Sequence, residues 1–236
     1  MPAAGRPASA DAMIATMSLP TIEHQTGPQP TASIIVLHGL GADGNDFVPV
    51  AHELDLARVG AVRYVFPHAP TMPVTVNGGH VMRAWYDILG PDLAKREDEA
   101  GLRRSQAAVE ALIDAERARG IDPRRIVLAG FSQGCAMTLM TGLRYRDRLA
   151  GLVGLSGYLP LAGQLAAERN AANADLPIFL AHGRNDPVVS YARAIASRDA
   201  LTALGYPVEW HDYPMPHSVC APEIADLNRW LLGVLG

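Results

Sequence analysis

The stretch RIVLAGFSQGCAM, residues 125–137, carries the reading of the fold. Ile126 to Ala129 form a short continuous apolar run, the kind a parallel sheet buries on both faces. GFSQG, Gly130 to Gly134, follows directly and leads into small and apolar residues of helical composition. A strand that reverses sharply into a helix strains the corner residue. Side chains two positions to either side would strike neighbouring backbone, so glycine belongs at 130 and 134. In that setting G-x-S-x-G lifts Ser132 to the carboxyl end of a strand, at the positive end of the next helix, where developing negative charge is stabilised. A glycine-rich turn whose serine only caps a helix has the same letters. Partners elsewhere in the chain must decide.

Outward from this stretch, short β-rich runs alternate with helical patterns. The strand candidates are SIIVLHG (33–39), VRYVFP (62–67), RIVLAG (125–130), GLVGLSG (151–157), LPIFLAHG (176–183) and VEWHDYP (208–214). Leu102, Val109, Leu112 and Ile113 recur at helical spacing, and Gly120 with Pro123 closes that helix. Further helices are predicted over 191–204 and from Pro222 toward Leu235. This rhythm predicts an α/β fold with a mostly parallel central sheet and helices on both faces. Residues 67–88 break it with three prolines and the Gly78-Gly79 pair, and read as a short lid loop, hairpin-like around those glycines.

A serine hydroxyl is a poor nucleophile until a base takes its proton, and the base needs a carboxylate to orient it. HGRNDPVV offers Asp186 beyond one strand, and PMPHSVC offers His217 beyond the last, in the order Ser, Asp, His. Asp175 and Asp212 are weaker rivals for the acid, and His182 and His211, placed on strands, for the base. A tetrahedral oxyanion needs two donors. The backbone N–H of Gln133 is one, and LHGLGADGNDF (37–47) supplies the other through the Leu40 amide, with Gly39 and Gly41 letting the chain turn. His38 either orients that loop or is a satisfied buried histidine. GLGADG lacks G-x-G-x-x-G spacing, and Asp43 would repel a pyrophosphate.

Composition removes whole classes of function. The chain has 236 residues, 49% of them hydrophobic, which suits one sizeable domain. A formal net charge of −4 with dispersed charges argues against nucleic-acid binding. Two cysteines, Cys135 and Cys220, make neither a disulfide framework nor a zinc site, and no metal is expected. They suit a reducing, cytoplasmic setting. No segment approaches the roughly 18 apolar residues of a membrane span, so no stable membrane insertion is expected. Residues 1–30, rich in Ala, Pro, Ser and Gly, read as a flexible leader or an extension ahead of a start at Met17. Residues 31–236 read as a single domain.

The set HGLGADGNDF, FPHAP, WYDI, GFSQGCAM, HGRNDPVV and PHSVC closely resembles the small carboxylesterase and acyl-protein thioesterase family, also called phospholipase/carboxylesterase. The resemblance runs from about Ser33 to the C-terminus. It implies an α/β-hydrolase without a cofactor, with Ser132 as nucleophile, Asp186 orienting His217, and Leu40 with Gln133 as oxyanion donors. It also implies that the 67–88 lid lies beside an apolar acyl groove. Met72, Val74 and Met82 are the candidates to line that groove, or else they anchor a long loop. Trp85 reads as core, and Cys135 and Cys220 as small hydrophobes beneath the site. The leading expectation is a carboxylesterase acting on short to medium acyl esters through an acyl-enzyme. Acyl-protein or other thioesterase and lysophospholipase activity is the alternative. A dienelactone-hydrolase-like enzyme would call for cysteine in place of Ser132, and a non-catalytic binding protein would be expected to lack a triad member. The partner expected is a small acyl ester or thioester, and a homodimer stays open.

Overall fold

The computed structural model describes residues 19–90 and 96–236. Seven strands form one sheet: β1 (Thr21–Gln25), β2 (Ala32–Leu37), β3 (Val62–Pro67), β6 (Ile126–Phe131), β7 (Gly151–Leu155), β8 (Ile178–Gly183) and β9 (Val208–Tyr213). Their spatial order is β1-β3-β2-β6-β7-β8-β9. All neighbours are parallel except β1, which runs antiparallel to β3. A hairpin of β4 (Thr71–Val74) and β5 (His80–Arg83) stands apart as a second sheet.

Every strand candidate is a strand, and the continuous apolar runs among them lie where both faces of the sheet are covered. Ile35, Leu37, Leu128, Leu152 and Ile178 meet one layer, built from α2 (Glu99–Ala118), α3 (Gln133–Gly142), α4 (Ala162–Glu168) and α5 (Tyr191–Ala203). Ile34, Val127, Val153 and Phe179 meet the other, built from α1 (Val48–Glu53) and α6 (Ala221–Leu235). The side chains alternate between the two layers, as strand geometry requires. Asp98 caps α2 by accepting from Gly101 N–H, and Pro222 opens α6 in its first turn.

The domain start drawn at residue 31 falls too late. β1 lies inside the stretch read as leader and pairs with β3 along its whole length, Thr21 opposite Pro67 through Gln25 opposite Arg63. Its sequence, TIEHQ, has no apolar run because it is an edge strand with alternately exposed residues. The remainder of that leader, residues 1–18, lies outside the described residues. Among the described residues no helix is long and apolar enough to cross a membrane.

Strand order also places the site. The chain leaves β2 toward β3 on one side and returns to β6 on the other, so β2 and β6 flank the point where the winding reverses. Loops at the carboxyl ends of such strands bound a crevice suited to ligands.

Candidate active site

Ser132 sits at the β6–α3 corner with φ 56° and ψ −115°, a backbone conformation that a non-glycine residue adopts only under constraint. Its N–H donates to the Leu155 carbonyl at 2.9 Å, and its carbonyl accepts from Ala136 N–H at 3.2 Å. A side chain at Gly130 would overlap the Gly134 carbonyl, and one at Gly134 would overlap the Leu37 carbonyl oxygen. The flanking glycines are thus required by close backbone approach.

Two further loops converge on this corner. Asp186 follows β8 and His217 follows β9. His217 Nε2 lies 2.9 Å from Ser132 Oγ, and His217 Nδ1 lies 2.6 Å from Asp186 Oδ2. The other carboxylate oxygen, Oδ1, accepts from the N–H groups of Val188 and Val189 at 2.8 and 2.9 Å. Arg184 N–H and Asn185 N–H donate to the carbonyls of Tyr213 and Met215, which ties the acid loop to the histidine loop. The Phe131 ring lies against His217, centroids 4.8 Å apart.

The rivals go elsewhere. Asp175 pairs with Arg148 at 2.5 Å, Asp212 with Arg184 at 2.9 Å, and His211 with Glu209 at 2.8 Å. His182 is buried behind the acid: its Nε2 donates to the Val189 carbonyl at 2.9 Å and lies 3.5 Å from Asp186 Oδ2. Burial holds its pKa below the usual imidazole range.

The loop after β2 lies against Ser132. A Cβ built on Gly39 would meet Ser132 Cβ at 3.4 Å. Among the described residues neither the Leu40 N–H nor the Gln133 N–H has a hydrogen-bond acceptor. His38 is buried, with Nδ1 2.7 Å from the Gly39 carbonyl and Nε2 accepting from Ala69 N–H at 3.0 Å. That pair of contacts selects the neutral Nδ1–H tautomer, and burial lowers the pKa in agreement. His38 therefore orients the loop.

The irregular segment forms the β4–β5 hairpin, turning through Gly78 and Gly79, both at positive φ. Met72 faces Met82 and Val74 faces His80, so these side chains share one face. Met82 Sδ approaches Gly41 of the loop after β2, 3.7 Å from where a Cβ would stand. Met72 and Met82 are half-buried, while Val74 is fully buried and anchors the hairpin's base. Val81, on the opposite face, is 62% exposed.

Cys135 is buried directly beneath Ser132, packed on Gly154 and Gly157, and burial pushes its thiol up to about 12, which removes it as a nucleophile. Cys220, half-buried, caps α6. Sequence reasoning missed two buried groups around the site, the Gln133 side chain, whose amide bonds both Trp85 N–H and the Tyr86 carbonyl, and Glu223 beneath the histidine loop, and it weighed His182 only as a rival base rather than as a neighbour of Asp186. Among the described residues no group of three or more His, Cys, Asp or Glu stands close enough to hold a metal ion.

A hydroxyl, imidazole and carboxylate in line at the carboxyl edge of a doubly covered parallel sheet define the class of α/β-hydrolases. Comparison with known proteins gives the family. The phospholipase/carboxylesterase family model matches residues 18–234, and the chain belongs to that family. Acyl-protein thioesterase 1 of Yarrowia lipolytica is 41% identical over 208 residues, spanning 85% of this chain and 91% of that protein. Its counterpart of the same name in Mycosarcoma maydis is 42% identical over 229 residues, spanning 91% and 95%. Among solved structures, Zea mays acyl-protein thioesterase 2 superposes with a TM-score of 0.78 at 30% identity, covering 91% of this chain and 99% of that one.

Proposed function

We propose that this hydrolase cleaves acyl thioesters, including S-acyl groups on protein cysteines, together with carboxylic esters, through an acyl-enzyme on Ser132. The Ser132–His217–Asp186 relay is the observation that carries the reading. The similarity to proteins named acyl-protein thioesterase supports thioester over simple carboxylic ester as the primary bond.

In this reading Ser132 Oγ attacks the acyl carbonyl while His217 Nε2 accepts its proton, and the imidazolium formed is stabilised by Asp186. The carbonyl oxygen becomes an oxyanion that accepts from Leu40 N–H and Gln133 N–H. Collapse breaks the carbon–sulfur or carbon–oxygen bond, and His217 returns the proton to the departing thiolate or alkoxide. Water then repeats the sequence, releasing the carboxylic acid and restoring Ser132. Met72 and Met82 would cover the start of the acyl chain.

The test is a matched set of substrates, the same octanoyl group carried on a thiol and on an alcohol. Both are expected to be hydrolysed, the thioester with the higher kcat/KM, and both activities are expected to vanish in Ser132→Ala. Cleavage of the oxyester with the thioester untouched would overturn the thioester assignment.

A further inference from the structure

We propose that Trp85 is a positioning residue for both oxyanion donors, holding Leu40 N–H and Gln133 N–H in one frame. The proposal rests on the acyl-transfer reading above.

The segment leaving β5 lies between the two donors and bonds to each side. Toward the β2 loop, the Trp85 indole N–H donates to the His38 carbonyl at 2.9 Å, and Gly41 N–H donates to the Arg83 carbonyl at 2.9 Å. Leu40 is therefore bracketed: His38, two residues before it, and Gly41, directly after it, are both pinned to 83–85. The Gly39 carbonyl, 2.7 Å from His38 Nδ1, belongs to the same peptide plane as Leu40 N–H. In a trans peptide the two groups point in opposite directions, so holding one aims the other. Arg83 Nη1 donates to the Ala69 carbonyl at 2.8 Å, which secures the residue whose N–H fixes His38.

Toward the nucleophile, Trp85 N–H donates to Gln133 Oε1 at 2.8 Å, and Gln133 Nε2 donates to the Tyr86 carbonyl at 2.7 Å. This pair of bonds locks a buried side chain onto the strand exit, and that side chain belongs to the residue whose backbone N–H is the second donor. Trp85 itself is 0% exposed, its ring lies 5.4 Å from that of His38, and its carbonyl accepts from Ser105 Oγ on α2. A core residue needs none of these directed bonds to fill space. Oxyanion stabilisation depends on donors already in place when charge develops, so the separation of two amides on different loops has to be set by something that touches both.

Trp85→Phe keeps an aromatic ring in the cavity and removes the bond to the His38 carbonyl. Gln133→Met keeps length and removes the other side. Each is expected to lower kcat about 10- to 100-fold per active site titrated with a fluorophosphonate, with KM within about twofold of wild type. Affinity for an octyl trifluoromethyl ketone, which forms a tetrahedral oxyanion on Ser132, is expected to fall by the same factor, while affinity for octanoate and the pH profile stay unchanged. The double variant is expected to lose less than the product of the single losses, since both act on one frame. Should Trp85→Phe not fold, Gln133→Met decides by the same readouts. Variants with a lowered melting temperature but wild-type kcat and ketone affinity per titrated site would overturn the proposal. A wild-type protein that neither turns over nor binds the ketone would instead overturn the acyl-transfer reading and this proposal with it.

Discussion

Asp186 and His217 are joined through a single carboxylate oxygen, Oδ2, 2.6 Å from Nδ1, because the other oxygen is already committed to the N–H groups of Val188 and Val189. An asparagine at 186 would keep its carbonyl on those two N–H groups and turn its amide toward His217. His217 Nδ1 would then have to accept, leaving Nε2 protonated and unable to take the serine proton. Asp186→Asn is expected to lower kcat by about 10⁴ with folding intact, read by steady-state kinetics and circular dichroism. Near-wild-type turnover would remove Asp186 from the relay.

Glu223, three residues past the N-cap Cys220, is fully buried. One carboxylate oxygen accepts from Cys220 N–H at 3.3 Å, and the other has no partner among the described residues. The Tyr213 hydroxyl is close enough to Glu223 for the two to interact electrostatically. Burial raises its pKa from 4.5 to about 8. Between those values the folded protein keeps a proton that the unfolded chain gives up. Stability therefore falls as pH rises through that window, by up to roughly 1.4 kcal/mol per pH unit. Urea unfolding at pH 5, 6, 7 and 8 is expected to show a decline in wild type that is much shallower in Glu223→Gln. Parallel declines would show that Glu223 is ionised in the fold.

If the β4–β5 hairpin covers the acyl chain as proposed, chain length becomes a readout of it. Each methylene covered by Met72 and Met82 contributes about 0.8 kcal/mol, roughly fourfold in kcat/KM, until the cover ends. Met82→Ser is expected to flatten the rise from acetyl to octanoyl substrates while sparing acetyl hydrolysis. An unchanged profile would place the acyl chain elsewhere.

The six strand candidates and the turn at Ser132 were legible because each rests on local chemistry, and the order Ser132, Asp186, His217 singled out three side chains that the structure brings together. Continuous apolar runs mark strands covered on both faces, and Gly130 and Gly134 mark a corner at Ser132. The hairpin was legible from Gly78 and Gly79, whose positive φ suits glycine. β1 was not, since an edge strand with polar alternation resembles a loop, and the six-residue α1 and seven-residue α4 are too short to show a period. Of the three candidates to line the groove or anchor a long loop, Val74 is buried at the hairpin base. The bonds of Trp85, Gln133 and His182 join residues far apart in the chain, or a side chain to distant backbone, and no sequence period encodes them.

The central claim, that one activated serine performs the chemistry, is tested most directly by titrating the protein with a fluorophosphonate while following octanoyl-thioester hydrolysis and intact mass. Activity is expected to fall linearly to zero at one equivalent, with the added mass on the peptide carrying Ser132 and no labelling of Ser132→Ala. Labelling that survives in Ser132→Ala, or hydrolysis that continues after Ser132 is fully modified, would contradict it.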